Sequence, residues 1–312
     1  MKYKICLIIP YFGKLPNYFQ LWLNSCKHNP DIDFLIYTDD KTKYEYPKNV
    51  ILKYTTFDEI KKRIQQNYDF PIALKNAYKL CDYKVAYGEI FSKDIEKYDF
   101  WGHCDLDLIW GDIRMFITDE ILDNYEKILP RGHFSIYKNT KEINSRYKNE
   151  VKDVISYKEV FTSNHSFAFD EWNGLYKIYK KQNYKLYEDE ICADISVKYN
   201  ILNINSTKEN SIFTWNVENE KSKIYSYTYK NKIVKKEYMY IHLQKRNMTV
   251  TMPLTQYKDE YIIVPNEFVP KDLQAINKKL IKKYTKIKLI RKEYMKMKIK
   301  NLLQKIKKRR KG

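Results

Sequence analysis

The sequence has few cysteines and no long apolar run. Its five cysteines are scattered over 312 residues, odd in number and never spaced as CxxC, which argues against a disulfide framework and a structural zinc site. No run approaches the roughly 18 unbroken apolar residues of a membrane span. The apolar run at residues 5–9 is too short for a signal peptide and no cleavage site follows it, so we expect a cytoplasmic protein.

Acidic residues are outnumbered by basic ones, mainly at one end of the chain. There are 58 Lys and Arg against 39 Asp and Glu, a net charge of +19. Residues 271–312 hold 18 basic and 2 acidic residues, which leaves a nearly neutral body of 40 and 37. With 44% hydrophobic residues the body can fill a sizeable core. We therefore predict one domain over residues 1–265 and a basic tail over residues 271–312.

Strand-length apolar runs and a helical pattern alternate at the start of the chain. They predict strands at residues 5–9, 34–37 and 50–54 and a helix at residues 17–28. This order predicts an open α/β sheet, in which ligands bind beyond the carboxyl ends of the strands. The loop at residues 10–13 and the pair Asp39-Asp40 follow two of these strands, so we expect them along one rim. For Asp39-Asp40 a simple polar turn is an equally good interpretation.

The remaining body continues as mixed α and β structure. Further helices are predicted at residues 56–67, 71–81, 88–97 and 113–129. Further strands are predicted at residues 133–137 and 161–169, with a hairpin over residues 223–236. Residues 138–151 are charged and irregular, and we expect a flexible region or lid there.

Two carboxylates, Asp105 and Asp107, end a short apolar run that Gly102 and Gly111 bracket. In an extended chain residues i and i+2 point to the same side, so both carboxylates can face one ion. Mg²⁺ and Mn²⁺ take one or two carboxylates together with the oxygens of a diphosphate. The alternative is a solvated surface turn. The tryptophans and leucines around the motif argue against it.

Other side chains can complete such a site. His242 lies in an apolar strand, where a lone histidine is more often structural than a ligand, but imidazole suits Mn²⁺ beside carboxylates. Lys84 and Lys245 can meet a diphosphate as point charges; for Lys84, spacing alone favours a solvated lysine at a helix start.

Two acidic clusters can supply a general base for an acceptor hydroxyl. The candidates are Asp170, Glu171 and Asp189. Acidic residues are also favoured at helix starts by the helix dipole, and for either cluster alone that is the stronger interpretation.

The tail has apolar residues at roughly helical spacing among lysines from Ile276 onward. This pattern predicts a long basic amphipathic helix, which by composition binds an anionic membrane surface through residues 276–312. A solvated charged helix and a nucleic-acid arm are the alternatives. The body lacks interleaved aromatic and basic platforms, so we expect no nucleic-acid partner.

Five segments together carry a resemblance: ICLIIPYFG at residues 5–13, FLIYTDD at 34–40, CDYKVAYG at 81–88, FWGHCDLDLIWGD at 100–112 and YIHLQKR at 240–246. In this order they resemble a bacterial family of GT-A-type glycosyltransferases, typically found among capsular or cell-surface polysaccharide genes. The resemblance covers roughly residues 3–250 and leaves the tail outside. The ordered set is specific for the family and much less so for a substrate.

The resemblance implies a Rossmann-like GT-A fold, a mixed sheet flanked by helices, with a nucleotide-sugar donor, most often a UDP-sugar, and Mn²⁺ or Mg²⁺. Asp107 would ligate the metal, Asp105 would contact the ribose or a metal-bound water, and His242 would complete the ligands. The nucleotide-sugar site would be lined by Pro10, Tyr11, Asp39, Asp82, Lys84, Tyr87, Asp105 and Lys245.

The implied acceptor is a hydroxyl of a cell-surface glycan or of a lipid-linked oligosaccharide. An inverting enzyme needs a carboxylate base, for which Asp170, Glu171 and Asp189 are the candidates, whereas a retaining enzyme need not use one. The expected location is the inner face of the plasma membrane, with the protein attached peripherally.

Three rival interpretations remain. A phosphatase of the haloacid dehalogenase type also uses Asp-X-Asp, but there the motif usually ends the first strand and is followed by Thr or Val where Ile109 stands here. A catalytically inactive GT-A scaffold is the second, although Asp105, Asp107 and His242 are intact. A nucleic-acid-binding or membrane-binding protein that acts only through its basic tail is the third.

Overall fold

The computed structural model describes residues 2–198, 200–250, 253, 257, 259–270, 276–286, 295 and 299. The chain divides into two compact units. The first consists of Met1–Phe19, Asn29–Leu106 and Arg114–Asp189, and the second of Gln20–His28, Asp107–Ile113 and Glu190–Gly312.

Strands and short helices make up both units. The strands are β1 (Ile5–Pro10), β2 (Ile32–Thr38), β3 (Val50–Tyr54), β4 (Phe100–Cys104), β5 (Leu108–Trp110), β6 (Lys127–Arg131), β7 (Phe134–Lys138), β8 (Leu186–Tyr187), β9 (Ala193–Asp194), β10 (Ile212–Glu218), β11 (Lys221–Lys230), β12 (Lys232–Tyr238), β13 (Tyr240–His242), β14 (Thr249–Val250), β15 (Glu260–Val264) and β16 (Glu267–Pro270). The α-helices are α1 (Phe19–Lys27), α2 (Phe57–Gln65), α3 (Leu80–Tyr83), α4 (Tyr87–Ile90), α5 (Ser92–Ile95), α6 (Ile113–Phe116), α7 (Asp119–Asn124), α8 (Lys141–Ser145), α9 (Tyr157–Thr162), α10 (Leu175–Lys181) and α11 (Lys278–Thr285). Single 3₁₀ turns lie at Ala77–Lys79, Lys84–Ala86 and Arg146–Lys148.

The first unit is built on a seven-stranded mixed sheet in the order β3-β2-β1-β4-β7-β6-β8. The strands β3, β2, β1 and β4 are parallel, and β7 runs antiparallel to its neighbours β4 and β6. Since parallel strands are covered on both faces, β1 and β2 read as continuous apolar runs. The predicted mixed sheet with packed helices is confirmed. The carboxyl ends of β1, β2 and β4 meet at one edge, where Tyr11, Asp39 and Asp105 follow them.

Helix α2 shows how local sequence fixes an element of this unit. The hydroxyl of Thr56 accepts a hydrogen bond from the backbone N–H of Glu59, and the carboxylate of Glu59 accepts one from the N–H of Thr56 at 2.7 Å. This reciprocal capping box satisfies two backbone donors that the helix leaves unpaired. Ile60 and Ile64 are buried in the core of the unit beside residues of β1 and β2. The cap and the spacing of the apolar residues therefore both favour a helix here.

Several predictions for this unit are wrong. The predicted helix at residues 71–81 is an irregular segment followed by the 3₁₀ turn at Ala77–Lys79 and the start of α3, and the predicted helix at residues 113–129 is divided into α6 and α7 and gives way to strand β6 at Lys127.

The predicted strand at residues 161–169 is replaced by the end of α9 and an irregular segment, because the buried carboxylate of Asp82 takes the N–H groups of Phe167 and Phe169 that a strand would donate to a neighbour. The predicted flexible region at residues 138–151 contains α8 and a 3₁₀ turn, whose Arg146 is buried and paired with carboxylates.

The second unit contains two sheets. A six-stranded sheet has the order β12-β11-β10-β15-β16-β14, and a three-stranded sheet has the order β5-β13-β9. The predicted hairpin is confirmed as β11 and β12, with Asn231 at the turn in a left-handed conformation (φ 62°). In the small sheet β13 pairs antiparallel with β5 and parallel with β9.

Helix α11 is the part of the predicted basic helix that the structure describes. Its Leu280 and Ile281 are buried against Ile212 and Ile262 of the six-stranded sheet. The helix ends at Thr285, and Lys286 has an extended backbone (ψ 130°), so the predicted helix is not continuous there. Residues 287–312 lie outside the described residues, apart from 295 and 299. No helix in the described part of the chain is long and apolar enough to span a membrane.

Removing α11 should destabilise the second unit. A chain ending at Pro270 loses two buried side chains, Leu280 and Ile281, each of which stabilises a fold by about 1.5–3 kcal/mol. We expect its free energy of unfolding to be about 3–6 kcal/mol lower than that of the full chain. A chain ending at Lys286 keeps both side chains and should match the full chain. Urea unfolding followed by tryptophan fluorescence measures this, and equal stability of the two truncated chains would contradict the packing.

Candidate functional site

Three strands of the second unit bring together an imidazole and two carboxylates. In the β5-β13-β9 sheet His242 pairs with Leu108 on one side and with Asp194 on the other, and Asp107 directly precedes β5. The Nδ1 atom of His242 lies 2.8 Å from Oδ1 of Asp194, and its Nε2 atom lies 3.5 Å from Oδ1 of Asp107. The buried imidazole is therefore held between two carboxylates.

The carboxylate of Asp107 is fixed by the chain that follows β13. The backbone carbonyl of Asp107 accepts a hydrogen bond from the N–H of Leu243 at 2.8 Å, and the Oδ2 atom of Asp107 accepts one from the N–H of Lys245 at 2.6 Å. Gln244 and Lys245 both have positive φ angles, 56° and 54°. Side-chain-bearing residues rarely adopt this conformation, and such strain clusters at functional sites. It aims the N–H of Lys245 at Asp107.

Asp194 is a site residue that the sequence does not reveal. Its Oδ1 atom also accepts a hydrogen bond from the side-chain amide of Gln244 at 2.6 Å, and its Oδ2 atom accepts one from Asn205 at 2.7 Å. A carboxylate on one imidazole nitrogen orients the ring and fixes which nitrogen faces a metal. Asp194 lies in a two-residue strand, which is too short to show any periodicity.

The two carboxylates control the charge of His242. Burial lowers its pKa, but the neighbouring Asp107 and Asp194 outweigh burial and raise the pKa of His242 to about 9. The imidazole is therefore a cation at neutral pH when no other cation is bound. A histidine must lose its extra proton before its ring nitrogen can bind a metal, so a divalent ion binding here displaces a proton.

The residues present fit a divalent metal ion. The Oδ1 atom of Asp107 is buried and, among the described residues, accepts no hydrogen bond, whereas buried polar atoms are nearly always satisfied. This oxygen and the Nε2 atom of His242 are 3.5 Å apart, close enough for both to reach one ion at about 2.1 Å. Carboxylate with imidazole suits Mn²⁺. The chain thus has acidic and histidine side chains that can hold a metal ion.

In the first unit a lysine joins two other predicted site residues. The Nζ atom of Lys84 donates to Oδ1 of Asp105 at 2.6 Å and to the carbonyl of Gly132 at 2.7 Å, and it lies 4.0 Å from Oδ2 of Asp170. Burial lowers the pKa of Lys84, but the charges of Asp105 and Asp170 outweigh burial and hold it above its usual value. Lys84 is therefore a fixed positive charge and not a solvated helix-start residue.

Asp170 has the electrostatic character of a general acid or base. Its side chain is 4% exposed. Burial raises the pKa of Asp170 to about 7, with Lys84 opposing this and Glu171 and Asp105 adding to it. A carboxyl that titrates near neutral pH is suited to proton transfer.

Two residues predicted to contact a nucleotide sugar have other roles. Asp82 is fully buried, and it accepts hydrogen bonds from Lys79 at 2.7 Å and from the N–H groups of Phe167 and Phe169. It therefore positions the segment that leads into Asp170. Tyr87 is 1% exposed within the core of the unit. Neither side chain has surface with which to contact a ligand.

The remaining predicted residues lie at strand ends. Beyond β1 and β2, the carboxylate of Asp39 accepts a hydrogen bond from the N–H of Gly13 at 2.8 Å, which fixes the loop after Pro10 and Tyr11. Gly13 has a φ of 92°, which glycine adopts without strain.

The other two candidate bases differ from Asp170 in their surroundings. Glu171 accepts a hydrogen bond from the N–H of Gly132 at 3.1 Å, and the carbonyl of this same glycine accepts a hydrogen bond from Lys84. Asp189 is exposed and accepts a hydrogen bond from the hydroxyl of Tyr187 at 3.0 Å. Of the three candidates, Asp170 is the one that the structure buries beside a fixed positive charge.

Comparison with known proteins gives a family. A family of unknown function, DUF6625, matches residues 7–272, and the chain belongs to it. None of the curated proteins compared with the chain matches it. The crystal structure of mouse xyloside xylosyltransferase 1, in its apo form, is similar over 62% of this chain and 88% of that chain, with 9% identity and a TM-score of 0.34.

The raised pKa of His242 makes stability depend on pH. Its stabilising effect is fully present below the unfolded pKa of 6.5 and is lost as the pH rises through about 9. This shift corresponds to on the order of 3 kcal/mol. Asp194→Asn removes one of the two neighbouring charges, so its urea midpoint should fall less than that of the unchanged protein between pH 6.5 and 9. Both are measured with a metal chelator.

The matched control is Asp153→Asn, since Asp153 is a largely exposed carboxylate with a surface ion pair to Lys181. It should show the same pH profile as the unchanged protein. Identical profiles for Asp194→Asn and the unchanged protein would refute the electrostatic role of Asp194.

Proposed function

We propose that this protein is a metal-dependent glycosyltransferase that moves a sugar from a nucleotide sugar to a hydroxyl group. The observation that carries the proposal is the buried pair of Asp107 and His242, which has the donor atoms of a divalent-metal site. The ordered sequence segments that resemble GT-A glycosyltransferases support the same class. They favour a UDP-sugar as donor and a cell-surface glycan or lipid-linked oligosaccharide as acceptor.

The second unit supplies the metal ligands in this proposal. Asp107 and His242 would hold Mn²⁺ or Mg²⁺, and Asp194 orients the imidazole. When bound, the ion supplies positive charge that stabilises the nucleoside diphosphate as a leaving group. Lys245 contributes through its backbone, because its N–H holds the carboxylate of Asp107 in place.

The first unit supplies a fixed cation and a proton acceptor. The ammonium of Lys84 stabilises negative charge that develops on a diphosphate, and its place is set in advance by Asp105 and by the carbonyl of Gly132. Transfer with inversion needs a base for the acceptor hydroxyl. Asp170 fits that role best, since its pKa of about 7 leaves it partly ionised at neutral pH and able to hold a proton.

In this proposal the tail binds a membrane surface. Residues 276–312 are strongly basic, and we assign them to an anionic membrane surface at the inner face of the plasma membrane. In α11 the apolar side chains Leu280 and Ile281 face the sheet, so this helix offers lysines and not an apolar face.

Nucleotide release tests the proposal. Purified protein is incubated with a panel of UDP-, GDP-, CDP- and ADP-sugars, with and without Mn²⁺, and the freed nucleoside diphosphate is measured. We expect Mn²⁺-dependent release from one donor class. Asp107→Asn should lower it by ~100-fold or more, since it weakens binding of the ion that would stabilise the charge developing on the diphosphate, and the loss of one such stabilising group costs about that much. Asp153→Asn should be unaffected.

Asp170→Asn separates proton transfer from metal binding. It should still bind Mn²⁺ with the nucleotide, yet lose ~10²–10⁴-fold in transfer to an acceptor, the usual contribution of a general base. Undiminished release by Asp107→Asn would refute the metal assignment, and undiminished transfer by Asp170→Asn would refute the base.

A further inference from the structure

The hairpin of the second unit has an unusually exposed end. We call residues 229–236, at the end of β11 and the start of β12, the basic hairpin end. β12 is the edge strand of its sheet, and all five of its residues from 232 to 236 are exposed. Ile233 and Val234 are 40% and 37% exposed. Since successive residues of a strand point to opposite faces, both faces of this end stand in solvent.

Lysines surround the two apolar side chains. The basic hairpin end contains Lys230, Lys232, Lys235 and Lys236 and has no acidic residue. Helix α11 adds two more, because the Nζ atoms of Lys278 and Lys282 lie 5.1 and 4.8 Å from the ring centre of Tyr229. Glu209 forms an ion pair with one of the six, Lys230. The patch remains strongly positive.

The combination selects one kind of partner. Exposed apolar side chains within a ring of lysines suit a bilayer surface, where the apolar groups enter the headgroup boundary and the lysines meet anionic lipid. A nucleic acid would use the lysines but not Ile233 and Val234, because bases stack on aromatic rings. Lysines along a sheet edge also oppose pairing with another protein strand.

We propose that the basic hairpin end is a membrane-docking site that places Ile233 and Val234 in the headgroup region of an anionic bilayer. Lys235 and Lys236, with the lysines of α11, contact the lipid phosphates and carboxylates. This extends the proposed membrane partner from the tail to the folded part of the second unit. Vesicle binding does not depend on sugar transfer, so the two proposals fail separately.

Sedimentation with vesicles tests the site. The full chain is spun with vesicles of phosphatidylcholine alone and with vesicles of mixed phosphatidylcholine and phosphatidylglycerol, whose surface is anionic. Two double variants of the full chain are compared: Ile233→Ser with Val234→Ser, and Lys235→Glu with Lys236→Glu. The control is Lys75→Glu with Lys93→Glu, which makes the same charge change at exposed lysines of the first unit.

The full chain and the control should sediment with the anionic vesicles and not with phosphatidylcholine alone. The lysine variant should bind ~10-fold more weakly or worse, as two basic residues near the surface are removed and reversed, and the serine variant ~3-fold or more weakly. Binding by both hairpin variants equal to that of the full chain would overturn the proposal and leave the tail as the membrane element. Loss in the lysine variant alone would also overturn it, since a patch that only attracts polyanions does not need Ile233 and Val234.

Discussion

The placement of His242 between Asp107 and Asp194 is the constraint on which the second unit's chemistry depends. Charged groups removed from water are costly unless they are paired and hydrogen-bonded. Here each member has fixed partners: Asn205 and Gln244 hold Asp194, and the turn after β13 holds Asp107. The register of three short strands sets these distances, so a small sheet with little area of its own determines the geometry of the candidate metal site.

The first unit meets a different electrostatic requirement. Asp170 is buried where ionisation is unfavourable, and Lys84 only partly offsets this, so its pKa lies near 7. A buried carboxyl of this kind lowers stability as the pH rises above its unfolded pKa. The fully buried Asp82 fixes the backbone immediately before Asp170, because its carboxylate accepts hydrogen bonds from the N–H groups of Phe167 and Phe169. The arrangement is costly to the fold and useful for proton transfer.

The predictability of each element follows from how far its sequence signal extends. The strands β1 and β2 are predictable because both of their faces are covered and most of their positions are apolar. The hairpin is predictable because its residues alternate, and α2 because its cap is local. The segment at residues 161–169 is not, since its conformation is set by Asp82, some 85 residues earlier in the chain.

The site shows the same division. Asp107 and His242 stand in or beside apolar strands and carry chemistry that a divalent ion needs, so the sequence indicates both. Asp194 lies in a strand of two residues and acts only through its contact with His242, and nothing local marks it. Tyr87 and Asp82 lie in a segment that resembles a ligand-binding one, but burial, which the sequence does not show, removes them from a ligand.

Calorimetry of Mn²⁺ binding tests the central claim most directly. Titrations of the full chain at pH 7.5 in buffers of different ionisation enthalpy give both the affinity and the number of protons released. Because the pKa of His242 is about 9 without a cation, binding should release about one proton per ion. Asp107→Asn should bind ~100-fold more weakly or worse, since even outer partners of a metal ligand are worth 10- to 100-fold. Binding without proton release, or with unchanged affinity in Asp107→Asn, would show that the ion is held elsewhere.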